Sequence, residues 1–332
     1  MTEQDNSVQL RSDVLEGLGR QPRSTPSKYL YDARGSELFE QITRLKEYYV
    51  TRADLALHRN CLPEISDRVG PQAHIIELGS GAGTKTRLLL QGLNQPRAYT
   101  PIEISAAALE QSAKALAEAF PNLLIHPLEA DYTAPIPKAD LRLEPPARRR
   151  VVYFPGSTIG NFDPPDAVAF MKRLRNMMGA DGALIVGIDL IKPRPRLIAA
   201  YDDSEGVTAA FNLNLLARLK REINAEVDIN AFRHEARWND KHKRIEMHLV
   251  AATNTAIVID DKRFEFRPGE SIHTESSYKY TADSFAQLAS QAGLRSDGVW
   301  YDPDRLFSTH WLVPADRSDA ALAGRVDSAG VG

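Results

Sequence analysis

Cysteine is nearly absent. Cys61 is the only one in 332 residues, which excludes an intrachain disulfide and any metal centre built on several thiolates. The eight histidines show no ligand spacing; His242 and His248 flank a turn and a strand and read as surface groups, so no metal is expected. No apolar run approaches the roughly 20 residues that cross a bilayer. The opening Met1-Thr2-Glu3-Gln4-Asp5 is polar and acidic, without the apolar core of a secretory signal. A cytoplasmic chain that engages no membrane is therefore expected. Excess positive charge is missing too: the net charge of −3 offers no footprint for nucleic acid. The one basic run, Arg148-Arg149-Arg150, precedes a strand and reads as a solvated loop. No internal repeat is visible. What remains, 43% hydrophobic and 26% charged residues, suits a globular protein of two domains, or of one large domain with an insertion.

The most informative stretch is His74-Ile75-Ile76-Glu77-Leu78-Gly79-Ser80-Gly81-Ala82-Gly83-Thr84-Lys85-Thr86. Its apolar start reads as a buried strand, its end as the start of a helix. The turn between them has glycine at every second position, as a tight strand-to-helix turn under a ligand requires. The helix N-terminus then presents N–H groups to an anion. A dinucleotide site would place its last glycine one residue later, where Thr84 stands, so a dehydrogenase is disfavoured. The GxGxG spacing after the acidic strand end at Glu77 resembles the cofactor loop of class I methyltransferases, which bind S-adenosyl-L-methionine.

Before this stretch, Leu38, Phe39 and Ile42 fall at helical spacing with Ser36 as N-cap, and Thr51 caps a helix reaching Cys61. After it, strands over 98–105, 123–128, 150–154 and 183–189 alternate with helices over 106–120 and 166–178, which implies βαβ units and a parallel sheet. The pattern then changes to one helix over 197–223 and to hairpins over 231–252 and 256–266 with short polar turns, the mark of antiparallel sheet. A helix over 281–293 and strands over 296–301 and 307–313 return to the first fold and form an antiparallel edge. The expected fold is α/β, a doubly wound class I methyltransferase sheet with an antiparallel edge, plus a smaller α+β domain.

Open α/β sheets bind ligands at the carboxyl ends of their strands. Glu77, Glu103 and Asp131 stand at three successive ends. Glu103 lies about 20 residues past the glycines, where an acid meets ribose hydroxyls. Asp131 and Tyr132 suit an exocyclic amine and an adenine ring, and Lys85 suits the carboxylate of a methionine moiety. Gly79, Gly81, Lys85, Glu103, Asp131 and Tyr132 are thus the expected cofactor residues.

The stretch Phe154-Pro155-Gly156-Ser157-Thr158-Ile159-Gly160-Asn161 occupies the acceptor position, with an amide and hydroxyls but no strong base. With Tyr31-Asp32-Ala33, Gly35-Ser36-Glu37-Leu38-Phe39, Glu47-Tyr48-Tyr49, Ala200-Tyr201-Asp202-Asp203, Gly206-Val207-Thr208-Ala209-Ala210-Phe211-Asn212, Arg244-Ile245-Glu246-Met247 and Thr274-Glu275-Ser276-Ser277, it resembles the S-adenosylmethionine-dependent histidine Nα-methyltransferases of ergothioneine biosynthesis. The resemblance spans Tyr29 to Val313.

It implies an L-histidine Nα-methyltransferase that methylates the α-amine three times, giving hercynine. By motif, Tyr48, Asn161 and Tyr201 hold the backbone end of histidine, with Tyr48 and Asn161 as the catalytic pair. Glu275 and Ser277 bind the imidazole with Tyr31 near it, and Phe39, Gly156 and Met247 shape the site. Glu103 replaces an aspartate of the family, and Ser276 stands where no fixed residue is expected. The implied organisation is an N-terminal helical segment (1–60) belonging with a substrate-binding insertion (197–280). The cofactor-binding domain is 61–196 with 281–314, and the polar tail 315–332 reads as disordered. The partner implied is free L-histidine, the state a monomer.

The chemistry agrees. Methyl transfer needs a neutral amine in line with the sulfonium methyl, and an α-amine with a pKa of about 8 supplies one without a dedicated base. Two other readings are a related Nα-methyltransferase acting on tryptophan or tyrosine, against which Glu275 and Met247 speak, and a non-catalytic sensor of S-adenosylmethionine or histidine, against which Tyr48, Asn161 and Tyr201 speak.

Overall fold

The structure, a computed structural model, describes residues 3–79 and 83–315. It divides into two compact units: the chain up to Thr51 joins Ile191–Lys279, and Arg52–Leu190 joins the chain from Tyr280 onward. Gly81 and the tail beyond 315 lie outside the described residues.

The chain opens with α1 (Glu3–Gly19) and α2 (Ala33–Ile42). The N-cap of α2 is Asp32, not Ser36: its carboxylate accepts the Gly35 N–H at 2.7 Å, so the helix begins a turn earlier than its apolar spacing suggests. Next, α3 (Val50–Val69) starts before Thr51 and runs past Cys61, through Pro63. Its Leu57, Cys61, Ile65 and Val69 recur every fourth residue and are buried in the core of the second unit. That burial outweighs the helix-breaking tendency of the proline, and the boundary between the units falls at Thr51 rather than at 60.

The second unit continues with β1 (Ala73–Leu78), α4 (Thr84–Gly92), β2 (Ala98–Glu103), α5 (Ala106–Ala119), β3 (Leu124–Ile125), β4 (Leu128–Glu129), β5 (Arg149–Phe154), α6 (Pro164–Met178) and β6 (Ala183–Asp189). The strand expected over 123–128 is split in two at His126-Pro127, since proline cannot donate to the ladder. Arg149 and Arg150 lie in β5 rather than in a solvated loop. Their guanidinium groups donate to main-chain carbonyls of Arg68 (2.6 Å), Asp181 and Leu141 (3.2 Å).

The other unit resumes with α7 (Arg194–Tyr201), α8 (Val207–Ile223), β7 (Glu226–Val227), β8 (Phe232–Asn239), β9 (Arg244–Ala251), β10 (Thr255–Ile259), β11 (Lys262–Phe266) and β12 (Ser271–Tyr278). The helix expected over 197–223 is thus two helices. The Asp203 carboxylate accepts the N–H groups of Val207 and Thr208 at 2.9 and 2.8 Å and starts α8 afresh. Strands pair antiparallel in two three-stranded sheets, β12-β9-β8 and β11-β10-β7.

Finally α9 (Ala282–Gln291), β13 (Leu294–Tyr301) and β14 (Phe307–Pro314) complete the large sheet, in the order β13-β14-β6-β5-β1-β2-β3 with β4 also on β2. Pairing is parallel from β3 to β6, and β14 runs antiparallel to both β6 and β13. This is the expected doubly wound α/β sheet with its antiparallel edge. Every residue of β1 and β6 is buried, as in strands covered on both faces.

Candidate active site

In the sheet unit, the chain leaves β1 at Gly79, whose φ of +67° lies in the left-handed region that glycine adopts without steric cost. A Cβ there would stand 3.4 Å from the Tyr132 ring, so the glycine keeps the space beside that ring open. Tyr132 also meets Phe154 and Phe170, each at 6.0 Å between centroids. Its hydroxyl pKa is pushed up to about 12, by burial first and then by the Glu103 and Asp131 carboxylates. Gly79 and Tyr132 are therefore neighbours, with Glu103 and Asp131 near enough for their charges to act on the phenol. Glu103 accepts the Ile104 N–H at 2.9 Å, and Asp131 accepts the N–H and hydroxyl of Thr133 at 2.8 and 2.6 Å.

Glu77 differs from the other acids. It is buried and accepts the hydroxyls of Thr86 (2.7 Å) and Tyr99 (2.6 Å), so it ties β1, β2 and α4 together from inside. Burial raises its carboxyl to about 7 against those hydrogen bonds.

Lys85, expected to meet a ligand carboxylate, donates to the Asp54 carboxylate at 2.9 Å. The same oxygen accepts the Gly156 N–H at 3.0 Å. Asp54 is fully buried. Burial acts to raise its pKa, but Lys85 and His58 together hold it well below the usual carboxylate range. The His58 Nδ1 lies 2.8 Å from the Asp54 carbonyl and 3.0 Å from its Oδ1, and Nε2 lies 2.8 Å from the Tyr153 hydroxyl. Beyond β5, positive φ at Gly156 (+81°) and Ser157 (+62°) turns the chain into the short 3-10 turn Thr158–Asn161. The Ser157 hydroxyl accepts the Asp189 N–H at 2.8 Å, which fixes the turn that carries Asn161.

In the other unit, Tyr31, Phe39, Tyr48, Tyr201, Met247, Glu275 and Ser277 come together from six separate stretches of chain. Tyr31 packs edge-on against Phe39 at 5.5 Å, Phe39 against Tyr48 at 6.2 Å, and Tyr48 against Tyr201 at 6.1 Å. The Tyr201 and Ser277 hydroxyls are 2.8 Å apart, and the Tyr31 hydroxyl donates directly to Glu275 Oε2 at 3.2 Å. Met247 is the cross-strand partner of Glu275. Burial lifts the Glu275 carboxyl to about 7 against the opposing effects of Tyr31 and Lys279.

The register of β12 against β9 slips between His273 and Glu275. A bulge of this kind re-aims the residues around it. It leaves His273 and Ser276 together at 3.2 Å, and Glu275 beside Tyr31. Ser276 is thereby tied to a histidine rather than to Glu275 or Ser277. His248 is buried, not a surface group, and stacks on His273 with ring centroids 5.2 Å apart. Among the described residues no cluster of His, Cys, Asp and Glu is arranged to hold a metal ion, and no helix is long and apolar enough to cross a membrane.

Residues 10–314 match the profile of a family described as histidine-specific methyltransferase, SAM-dependent. The chain belongs to this family. It is 39% identical over 299 residues to a histidine N-alpha-methyltransferase of Mycolicibacterium smegmatis, covering 89% of this chain and 91% of that one. A histidine N-alpha-methyltransferase of Mycobacterium tuberculosis is 38% identical over 298 residues, with 88% and 91% coverage. An ergothioneine biosynthesis protein 1 of Neurospora crassa is 31% identical over 84% of this chain, but the match spans only 32% of that protein.

S-adenosylmethionine is the cofactor of this methyltransferase family, and the sheet unit has residues that fit it. Gly83, in the left-handed region at φ +70°, precedes α4 without a side-chain cap, so the first N–H groups of the helix suit a carboxylate. The Lys85 ammonium adds a positive charge one residue into the helix. A Cβ at Gly156 would come within 2.9 Å of its Nζ, so glycine gives that ammonium room. The space at Gly79 beside Tyr132, whose hydroxyl feels the Glu103 and Asp131 charges, suits an adenosyl group.

The sequence reading did not single out Asp54, His58, Tyr153 or Lys279. Asp54 and His58 stand at i and i+4 on one helix, a spacing open to inspection; their link to Lys85 and Gly156 depends on the fold.

Proposed function

We propose that this methyltransferase transfers three methyl groups in succession from S-adenosylmethionine to the α-amine of L-histidine, giving hercynine for ergothioneine biosynthesis. The observation that supports the acceptor best is Glu275, a buried carboxylate beside Tyr31 and in the same unit as the Tyr201–Ser277 hydroxyl pair. An imidazole N–H satisfies such an acid. A benzene or phenol ring offers no donor in the same place, and leaving the acid unpaired costs about 1–3 kcal/mol.

When bound, the cofactor supplies an electrophilic methyl group on a sulfonium. This chain's residues supply position. Glu275 and Ser277 hold the imidazole, Tyr201 and Asn161 hold the backbone end, and Tyr48 with Asn161 orients the nitrogen lone pair. Phe39, Met247 and Gly156 limit the space around the substrate. An α-amine, of pKa about 8 in peptides, is neutral in a minor fraction near pH 7 and needs no dedicated base. After each of the first two transfers the ammonium releases a proton to water before the next. The third product is a fixed cation with no proton to lose, which ends the sequence.

On the cofactor side, Lys85 and the start of α4 hold the methionine carboxylate, Glu103 the ribose hydroxyls, and Asp131 with Tyr132 the adenine. A cytoplasmic, monomeric enzyme belongs to the same proposal. The test is mass spectrometry of the purified chain with S-adenosylmethionine and each of the twenty amino acids. Products of histidine carrying one, two and three added methyl groups are expected. Methylation chiefly of tryptophan or tyrosine, or binding of the cofactor without any transfer, overturns the proposal.

A further inference from the structure

Lys279 is the residue that follows β12, and at 2% exposure its charged side chain is among the most deeply buried in its unit. Its main chain continues the strand's pairing, with the N–H donating to the Lys243 carbonyl at 2.8 Å. By the alternation of an extended chain, Glu275, Ser277 and Lys279 point to one side. The Lys279 ammonium donates to the Tyr201 hydroxyl at 2.8 Å and to the Ser277 hydroxyl at 2.7 Å. Those two hydroxyls are themselves 2.8 Å apart, so the three polar atoms close a triangle.

The hydrogens in that triangle can be counted. An ammonium only donates, so both hydroxyls accept from it. One hydroxyl then gives its hydrogen to the other, and a single O–H remains to point elsewhere. Without the ammonium, neither hydroxyl is obliged to accept, and either can donate to the other. Burying a lysine is costly, and holding neighbouring groups in one arrangement is a reason to retain it.

We infer that Lys279 is a positioning residue for the amino-acid substrate, setting through its two hydrogen bonds the direction in which Tyr201 and Ser277 offer their hydroxyls. This rests on the proposed function, in which both hydroxyls touch the substrate. Lys279 acts on affinity for the acceptor and leaves the cofactor side alone.

The test is steady-state kinetics of the wild type, Lys279→Met, Tyr201→Phe and the double variant, with whichever amino acid the wild type methylates. Lys279→Met is expected to raise KM for that acceptor at least tenfold. KM for S-adenosylmethionine should stay within twofold and kcat should fall less than threefold. In the Tyr201→Phe background the same change should have a clearly smaller effect, because the group it acts through is already altered. Lys279→Gln, which keeps a donor, should recover part of the loss, and it replaces Lys279→Met if the latter does not fold. An unchanged acceptor KM, equal losses in kcat and in both KM values, or full additivity with Tyr201→Phe overturns the inference. Failure of both Lys279 variants to fold overturns it as well, since the role is then structural. If the wild type methylates an amino acid other than histidine, the proposed function falls while Lys279 is still judged on that acceptor. A wild type inert toward every amino acid overturns both.

Discussion

Replacing Glu275 by glutamine separates stability from function. The carboxyl is 8% exposed and has been lifted from 4.5 to about 7, by burial first, with the Tyr31 hydroxyl bond and the Lys279 charge acting in the other direction. In the unfolded chain the same acid ionises near its ordinary value. The sign follows from that difference. Below pH 4.5 both states are protonated and nothing is lost. As the pH rises from 4.5 to about 7 the unfolded state releases a proton that the folded state retains, so stability falls. Above 7 the penalty is constant, and a displacement of this size corresponds to about 3 kcal/mol. Glutamine keeps the shape and can accept the Tyr31 hydrogen bond, but it does not titrate. In the absence of histidine, Glu275→Gln should unfold in urea much as the wild type does near pH 4.5 and resist urea by up to about 3 kcal/mol more at pH 8. The other acid raised to about 7, Glu77, is present in both proteins and cancels in the comparison. Saturating histidine should narrow that gap at pH 8 by about 1.4 kcal/mol for each tenfold of affinity the variant loses, because its ring N–H pairs with the ionised wild-type carboxylate. Its KM should rise about tenfold or more in the variant, as expected when a charged acceptor is lost. Parallel pH dependence of the two proteins would refute the reasoning about burial, and an unchanged KM would refute the role in binding.

Two other perturbations probe the supports of the site. Asp54→Asn removes the charge that holds Lys85 and leaves one side-chain oxygen in place of two; S-adenosylhomocysteine measured by titration calorimetry should bind at least tenfold more weakly, and an unchanged affinity would make the Asp54 network purely structural. Asp203→Ala removes the cap on the first two N–H groups of α8 and should cost about 1 kcal/mol in urea unfolding, with no change if water caps the helix equally well.

How far the sequence reaches depends on the range of the interactions involved. The parallel sheet is legible because β1, β5 and β6 are apolar runs between glycine turns and helices, signals contained within a few residues. The helix break at Asp203 is hidden: apolar spacing continues across 197–223, and only a side chain accepting two N–H groups interrupts it. The same holds for α2, where Asp32 rather than Ser36 makes the cap. Histidines mislead for a related reason, since His248 looks polar in sequence but is buried on His273. The site residues themselves were reached by motif, as groups of the right type. That Tyr31 donates directly to Glu275, or that Lys85 answers to Asp54, follows from contacts spanning 244 and 31 residues. Spacing along the chain does not carry such information.

Both units spend a buried charge on holding groups that a ligand would use. In the sheet unit Asp54 binds Lys85, the Gly156 amide and His58; in the other, Lys279 binds Tyr201 and Ser277. Apolar residues of similar volume at Asp54 and Lys279 would often give an equal or more stable fold, so stability alone is a weak reason for either charge. The reaction supplies a better one. Methyl transfer asks little of acids and bases and much of alignment, and a misplacement of about 1 Å can slow such a reaction about a hundredfold. Hydroxyls and ammonium groups on freely rotating bonds are poor at alignment unless something fixes their hydrogens. A buried charge does so at close range, where little water competes. On this argument the polar atoms hidden behind the site matter as much to the chemistry as those expected to touch the substrate. They should therefore show up in KM and in cofactor affinity before they show up in stability.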